Sequence, residues 1–225
     1  MKIGVLLSGQ GSNLQAIIDR IKEGFLPVEI ALVLSDNPKA YGLKRAEAAG
    51  IKARYIAPGP YRTILSPEAE EIYITALKEA EVELVCLAGF MRVIKKKMLD
   101  AFPGKIINIH PSLLPAFPGL EAWKQALDYG VRFSGCTVHF VEAGVDTGPI
   151  ILQAVVPVLE DDTAETLLNR IHEKEHIIYP LAIKLFAQGK LKISGRRVII
   201  QETKNLEEEW VTRNALNEDK KSETG

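Results

Sequence analysis

The sequence is poor in cysteine, with only Cys86 and Cys136 in 225 residues, and neither belongs to a CxxC pair. That scarcity excludes a disulfide scaffold and fits a reducing cytoplasmic interior with two buried, inert thiols. Net charge is also lacking. The 28 basic and 29 acidic side chains leave a formal charge of -1, which excludes a global pull toward nucleic acid or an anionic membrane. Long apolar runs are missing as well. The opening Met1–Gly9 stretch breaks at Ser8 and Gly9, too early for a signal-peptide core or a membrane span, and is expected to be a buried strand.

What the chain does have is 47% hydrophobic residues, enough for one substantial core and a single domain over 1–201. Apolar, β-branched runs recur at Lys2–Leu7, Val28–Leu34, Lys52–Ile56, Glu83–Ala88 and Lys105–Ile109. Helical segments near 12–23, 41–49, 67–81 and 95–101 separate them. This alternation predicts a mostly parallel sheet with helices on both faces. Phe133–Val141 and Pro149–Val158, joined by Glu142–Gly148, then predict an added antiparallel pair. A long helix is expected from Thr163 to Gln188, stopped by Gly189 and bent or divided at Pro180. Lys190–Ser194 and Arg197–Gln201 flank Gly195 as a small hairpin. Residues 202–225 form a charged tail expected to fray, with Trp210 its one residue suited to docking.

The loop Ser8-Gly9-Gln10-Gly11-Ser12-Asn13 joins the first strand to the first helix. Its glycines permit close backbone approach, and the helix start offers unpaired N–H groups, so an anion site is the natural reading beside a plain tight turn. It is not a standard nucleotide motif: Leu14 stands where GxGxxG needs its third glycine, and the lysine of a P-loop is missing. Asp36, ending the second strand, keeps a dinucleotide enzyme as a rival, against its reading as a turn aspartate before Asn37-Pro38.

The chemistry concentrates further on. Lys105 to Pro115 reads KIINIHPSLLP and puts Asn108 and His110 at the C-terminal end of a central strand, where open α/β sheets bind ligands. Two residues apart, they share one face. Pro111, Pro115 and Pro118 stiffen the chain behind them, and Phe117-Pro118-Gly119 leads into a helix. Asp146 stands in a turn after Val138-His139-Phe140-Val141 and can fold back toward the sheet.

Through Leu7–Gln15, Ala88–Arg92, Asn108–Pro115, Thr137–Val141 and Asp146, the sequence resembles the phosphoribosylglycinamide formyltransferases from Lys2 to about Leu191. The resemblance implies a Rossmann-like formyltransferase fold of the α/β class. It also implies a ribonucleotide-binding half over about 1–100 and a folate-binding half over about 101–201. It implies that Asn108 binds the formyl oxygen of 10-formyltetrahydrofolate, that His110 mediates proton transfer, and that Asp146 supports both. Gly11, Ser12, Asn13 and Glu175 would hold glycinamide ribonucleotide. Met91, Arg92, Val93 and Ile94, with Asn108 and the loop Glu142, Ala143, Gly144, Val145 and Asp146, would line the folate pocket. Folate is a cosubstrate and no metal is expected. An arginine that contacts folate in some relatives falls where this chain reads Leu65-Ser66-Pro67-Glu68-Ala69. Arg62 and Lys78 both remain open as its replacement.

Three alternatives are weighed against this. His172-Glu173-Lys174-Glu175-His176 matches HExxH, the zinc-protease pattern, but no third ligand stands out downstream and the spacing arises easily in a Glu-rich helix. Methionyl-tRNA formyltransferases and formyltetrahydrofolate deformylases carry an extra domain, for which this length leaves no room. A catalytically silent nucleotide-binding module would not need Asn108, His110 and Asp146 together. The expected protein is a cytoplasmic enzyme, a monomer or weak homodimer, binding neither nucleic acid nor membrane.

Overall fold

The structure, a computed structural model, describes residues 1–201; the tail and Trp210 lie outside the described residues. Strands and helices alternate as β1 (Lys2–Leu7), α1 (Ser12–Lys22), β2 (Glu29–Ser35), α2 (Tyr41–Ala48), β3 (Ala53–Tyr55), α3 (Pro67–Glu79), β4 (Leu84–Leu87), α4 (Lys96–Ala101) and β5 (Ile106–His110). There follow α5 (Ala122–Tyr129), β6 (Phe133–Phe140), β7 (Ile150–Pro157), α6 (Ala164–Ala187), β8 (Leu191–Ser194) and β9 (Arg197–Ile200).

The nine strands of the described residues form one sheet in the order β3-β2-β1-β4-β5-β6-β7-β9-β8. From β3 to β5 all pairs are parallel; β6 runs antiparallel to β7, as the sequence predicts, and also antiparallel to β5. Strand alternation builds two cores. Ile3, Val5 and Leu7 of β1 pack with Leu14 and Ile17 of α1 and with Ile171 and Ile178 of α6. Leu6, on the opposite face, packs with Tyr73 and Leu77 of α3 and Met98 of α4. Burial of both faces explains why the central strands read as nearly continuous apolar runs.

Helix α6 begins at Thr163, whose side chain accepts from the Thr166 backbone while Thr166 reaches back to the Thr163 N–H. Of the bend or division expected at Pro180, the division does not occur, and the helix continues to Ala187. Buried Ile178, Tyr179, Leu181, Ala182 and Ile183 surround the proline, so tertiary packing outweighs the local cost of a missing N–H. The Tyr179 hydroxyl donates to the Leu87 carbonyl at 2.8 Å, fastening the helix across β4.

Because β1 lies between β2 and β4, the chain leaves it in one direction and returns to β4 from the other, and a crevice opens at the C-terminal ends of these strands. The Ser8 N–H donates to Gly89 and the Ser8 hydroxyl accepts from the Met91 N–H at 2.8 Å. The loops after β1 and β4 are thus tied together at the floor of that crevice.

Candidate functional site

Asn108 and His110 share a face of β5 with Ile106, opposite to Ile107 and Ile109, which enter the α1/α6 core. Antiparallel pairing places His139 of β6 directly across from Asn108. The 142–148 loop folds back so that the Asp146 carboxylate meets all three. Asp146 Oδ2 lies 3.4 Å from His110 Nδ1, and Oδ1 lies 3.7 Å from His139 Nε2 and 3.5 Å from Asn108 Nδ2. Oδ2 also accepts from the Gly119 N–H at 2.8 Å, joining this loop to the proline-stiffened one. Asp146, Phe117 and Glu121 all hold positive φ near 50°, a costly conformation for residues with a Cβ, concentrated around the cluster.

Hydrogen bonding fixes the protons. His110 Nε2 is 2.9 Å from the Phe117 carbonyl, which only accepts, so Nε2 carries hydrogen and Nδ1 faces Asp146. His139 Nδ1 lies 2.8 Å from the Phe140 carbonyl and is protonated by the same logic. Its Nε2 is then free to accept from Asn108 Nδ2 at 3.2 Å. That bond turns the Asn108 amide, and it leaves the second Nδ2 hydrogen only the long contact to Asp146. His139 is the member of the cluster that sequence reasoning missed. Its one signal was a polar residue between core-facing Val138 and Phe140, on a strand whose register beside Asn108 emerges only in the sheet.

Burial drives His110 below the ordinary imidazole range, against the opposing charge of Asp146 and the Phe117 carbonyl. For Asp146 burial pushes upward, but the adjacent His139 ring, the positive charge that His110 carries when protonated and the Gly119 amide outweigh it, and the carboxyl ends below its usual range. The resting pair is therefore a neutral imidazole whose Nδ1 lone pair meets a carboxylate, a base poised to form a well-paired imidazolium.

A second group lies at the start of α1. Gly11 caps the helix with φ 71° and no side-chain hydrogen bond. Asn13 is only 7% exposed, its Oδ1 has no partner among the described residues, and its Nδ2 donates to Glu175 Oε2 at 2.7 Å. Burial, opposed by the Asn13 bond, pushes Glu175 up to about 7. His172 Nε2 is 3.9 Å from the same carboxylate oxygen. The His172 and His176 rings stack with centroids 6.1 Å apart, and the described residues contain no group of three or more His, Cys, Asp or Glu arranged to hold a metal. Among the described residues no helix is long and apolar enough to cross a membrane.

Of the other sequence-derived positions, Met91 is exposed at the mouth of the crevice and Ile94 is buried in the α3/α4 core. The Val93 N–H donates to Thr63. Glu142, Ala143, Gly144 and Val145 are exposed along the loop that carries Asp146. Arg92 and Asp36 form a tight pair at 2.6 Å, and Arg92 also donates to the Tyr61 and Arg62 carbonyls. Asp36 is buried against this arginine, with Arg92 spanning it and the 61–62 loop.

Residues 1–183 match the family model described as Formyl transferase. The chain is 49% identical over 194 residues to the trifunctional purine biosynthetic protein adenosine-3 of Drosophila pseudoobscura pseudoobscura, covering 85% of this chain and 14% of that one. It is 48% identical over 183 residues to the phosphoribosylglycinamide formyltransferase of Bacillus subtilis (strain 168), covering 81% of this chain and 93% of that protein. The chain thus spans about a seventh of the first relative and nearly all of the second. The crystal structure of glycinamide ribonucleotide transformylase 1 from Symbiobacterium toebii superposes with a TM-score of 0.86 at 57% identity, covering 90% of this chain and 94% of that one.

Proposed function

The chain belongs to the formyl transferase family, and from that premise we propose that it transfers the formyl group of 10-formyltetrahydrofolate to the amine of glycinamide ribonucleotide. The products are N-formylglycinamide ribonucleotide and tetrahydrofolate, a step of de novo purine biosynthesis. The observation that carries this reading is the meeting of Asn108, His110 and Asp146 beside the crevice that also holds the Gly11–Asn13 loop.

Attack of the amine on the formyl carbon creates an oxyanion and a surplus proton on nitrogen. The Asn108 amide, turned by His139, offers its less engaged hydrogen to that oxygen. His110 Nδ1 takes the proton, and the resulting imidazolium is paired on both sides by Asp146 and the Phe117 carbonyl. The same proton then passes to the folate nitrogen as the carbon–nitrogen bond to the donor breaks. No covalent enzyme intermediate is required, because holding amine and formyl carbon together removes much of the barrier.

The ribonucleotide phosphate is assigned to Gly11, Ser12 and Asn13, where the backbone N–H groups at the start of α1, left without a side-chain cap, suit an anion. Glu175 is assigned to the same substrate through its bond to Asn13. Folate is assigned to Met91, Arg92, Val93, Ile94, Asn108 and the 142–146 loop. The division into a ribonucleotide half over 1–100 and a folate half over 101–201 is crossed in both directions, by Glu175 toward the ribonucleotide and by Met91, Arg92, Val93 and Ile94 toward folate. We place the enzyme in the cytoplasm, acting as a monomer or weak homodimer without metal, nucleic acid or membrane.

The test is a transfer assay with both substrates, followed by folate absorbance. Wild-type protein should turn over, and His110→Ala should lower kcat by roughly 10²–10⁴-fold while remaining folded. An inactive wild type, or a folded variant at near-full rate, sinks the assignment.

A further inference from the structure

The anion loop lacks the lysine of a P-loop, and no residue from Ser8 to Leu14 is positively charged. The structure supplies a cation from elsewhere. Arg45, in the last turn of α2, donates from Nε to the Gln10 carbonyl at 2.9 Å and from Nη1 to Gln15 Oε1 at 3.2 Å. Its guanidinium carbon lies 4.9 Å from the centre of the Tyr41 ring, which fixes the plane of the fork.

The approach of α2 to this loop is very close. A Cβ on Gly11 would lie 2.6 Å from the Gly42 Cα, and the Gly42 N–H donates to the Gly9 carbonyl at 3.1 Å. Helix α2 thus holds two successive loop carbonyls, Gly9 through a backbone amide and Gln10 through Arg45. In a planar trans peptide the N–H points opposite to the C=O of the same unit. Drawing the Gln10 carbonyl toward α2 therefore turns the Gly11 N–H away from it, toward the side where α1 begins. Gln15, the other Arg45 partner, also sends its N–H back to the Gly11 carbonyl at 2.9 Å, so the arginine braces both sides of the left-handed glycine.

We propose that Arg45 is the positioning residue of the phosphate site: by holding the Gln10 carbonyl it aims the Gly11 N–H at the bound anion, and its guanidinium supplies the positive charge that the loop lacks. This rests on reading Gly11–Asn13 as the phosphate site. The group recognised is a phosphate monoester dianion, which gains from a fixed nearby cation as well as from oriented amides.

The experiment compares wild type, Arg45→Gln, Arg45→Lys and Gly11→Ala for kcat, both KM values and competitive inhibition by inorganic phosphate against the ribonucleotide. Arg45→Gln should raise the ribonucleotide KM by about tenfold or more and weaken phosphate inhibition in proportion, with kcat and the formyl-donor KM within about twofold of wild type. A purely structural role would instead move both KM values and kcat together, which overturns the proposal. Arg45→Lys keeps the charge but loses the fork, and should raise the ribonucleotide KM by a smaller factor. If Arg45→Gln does not fold, Arg45→Lys decides alone, and an unchanged ribonucleotide KM in it overturns the proposal. The underlying site is tested separately by Gly11→Ala. If phosphate does not compete in wild type and Gly11→Ala leaves the ribonucleotide KM unchanged, the phosphate assignment itself fails. If Gly11→Ala raises that KM while Arg45→Gln does not, the site stands and the role of Arg45 falls.

Discussion

His110 is held between opposed influences, burial lowering its basicity and the Asp146 carboxylate restoring part of it. The consequence is a sign that can be measured. With its pKa below the ordinary value of about 6.5, the imidazole stays neutral to lower pH, and the acid limb of kcat/KM should fall below that value in wild type. Asp146→Asn removes the strongest raising influence, so His110 becomes a still weaker base and the acid limb moves further down. The maximal rate should drop by about 10²–10³-fold, because the imidazolium formed in the transition state loses its counter-charge. An acid limb that stays put or moves up in the variant would show that His110 is not the titrating group. The shared placement of Asn108 and His110 was legible because a spacing of two along a strand fixes a common face. The part played by His139 was not, since it depends on which strand lies opposite Asn108, and a cross-strand neighbour leaves no local mark in the chain.

Helix α6 shows how far local chemistry carries and where it stops. Its start at Thr163 follows from side chains able to accept an unpaired N–H, and its stop from Gly189, which takes φ 67°. Asp162 adds a bridge to Arg170 at 2.7 Å, and this partner holds its carboxyl well below the usual range. Thr163→Ala should cost about 1 kcal/mol, a fall of roughly 2–4 °C in Tm, with both KM values unchanged. A variant with unaltered Tm would show that Asp162 replaces the cap. Of the bend or division expected at Pro180, the division does not occur, for a non-local reason: the buried residues around the proline and the Tyr179 bond to Leu87 hold the helix through it. The second strand, expected at Val28–Leu34, runs from Glu29 to Ser35, because pairing with β1 rather than hydrophobicity sets its ends. The β8–β9 hairpin was legible from Gly195. Its attachment was not: Arg196 donates to the Thr147 carbonyl at 2.8 Å, next to the residue that approaches His110.

The strand order, with β1 inside the sheet, brings α1 and α6 together and joins residues 162 positions apart through the Asn13–Glu175 bond. Alternation of strands and helices predicted the layers, but nothing in the sequence required the last long helix to pack on the first. That contact makes Glu175 a whole-fold reporter. Its folded pKa is raised to about 7 by burial, against a reference of 4.5, so folding favours the protonated acid. The resulting stability is fully present below about 4.5 and is lost as pH rises through about 7. Glu175→Gln keeps the shape but cannot ionise. The unfolding free energy of wild type relative to this variant should therefore decline between pH 4.5 and 8, by on the order of 3 kcal/mol, or roughly 6–12 °C in Tm. His176 runs the other way: burial first, then His172, take it down to about 4, so its contribution is present above about 6.5 and is lost as pH falls toward 4. Being common to both proteins, it cancels in the difference. Paired thermal melts across this range are the check, and a flat difference would mean that Glu175 ionises as it does in the unfolded chain and does not couple the two ends of the protein through a buried acid.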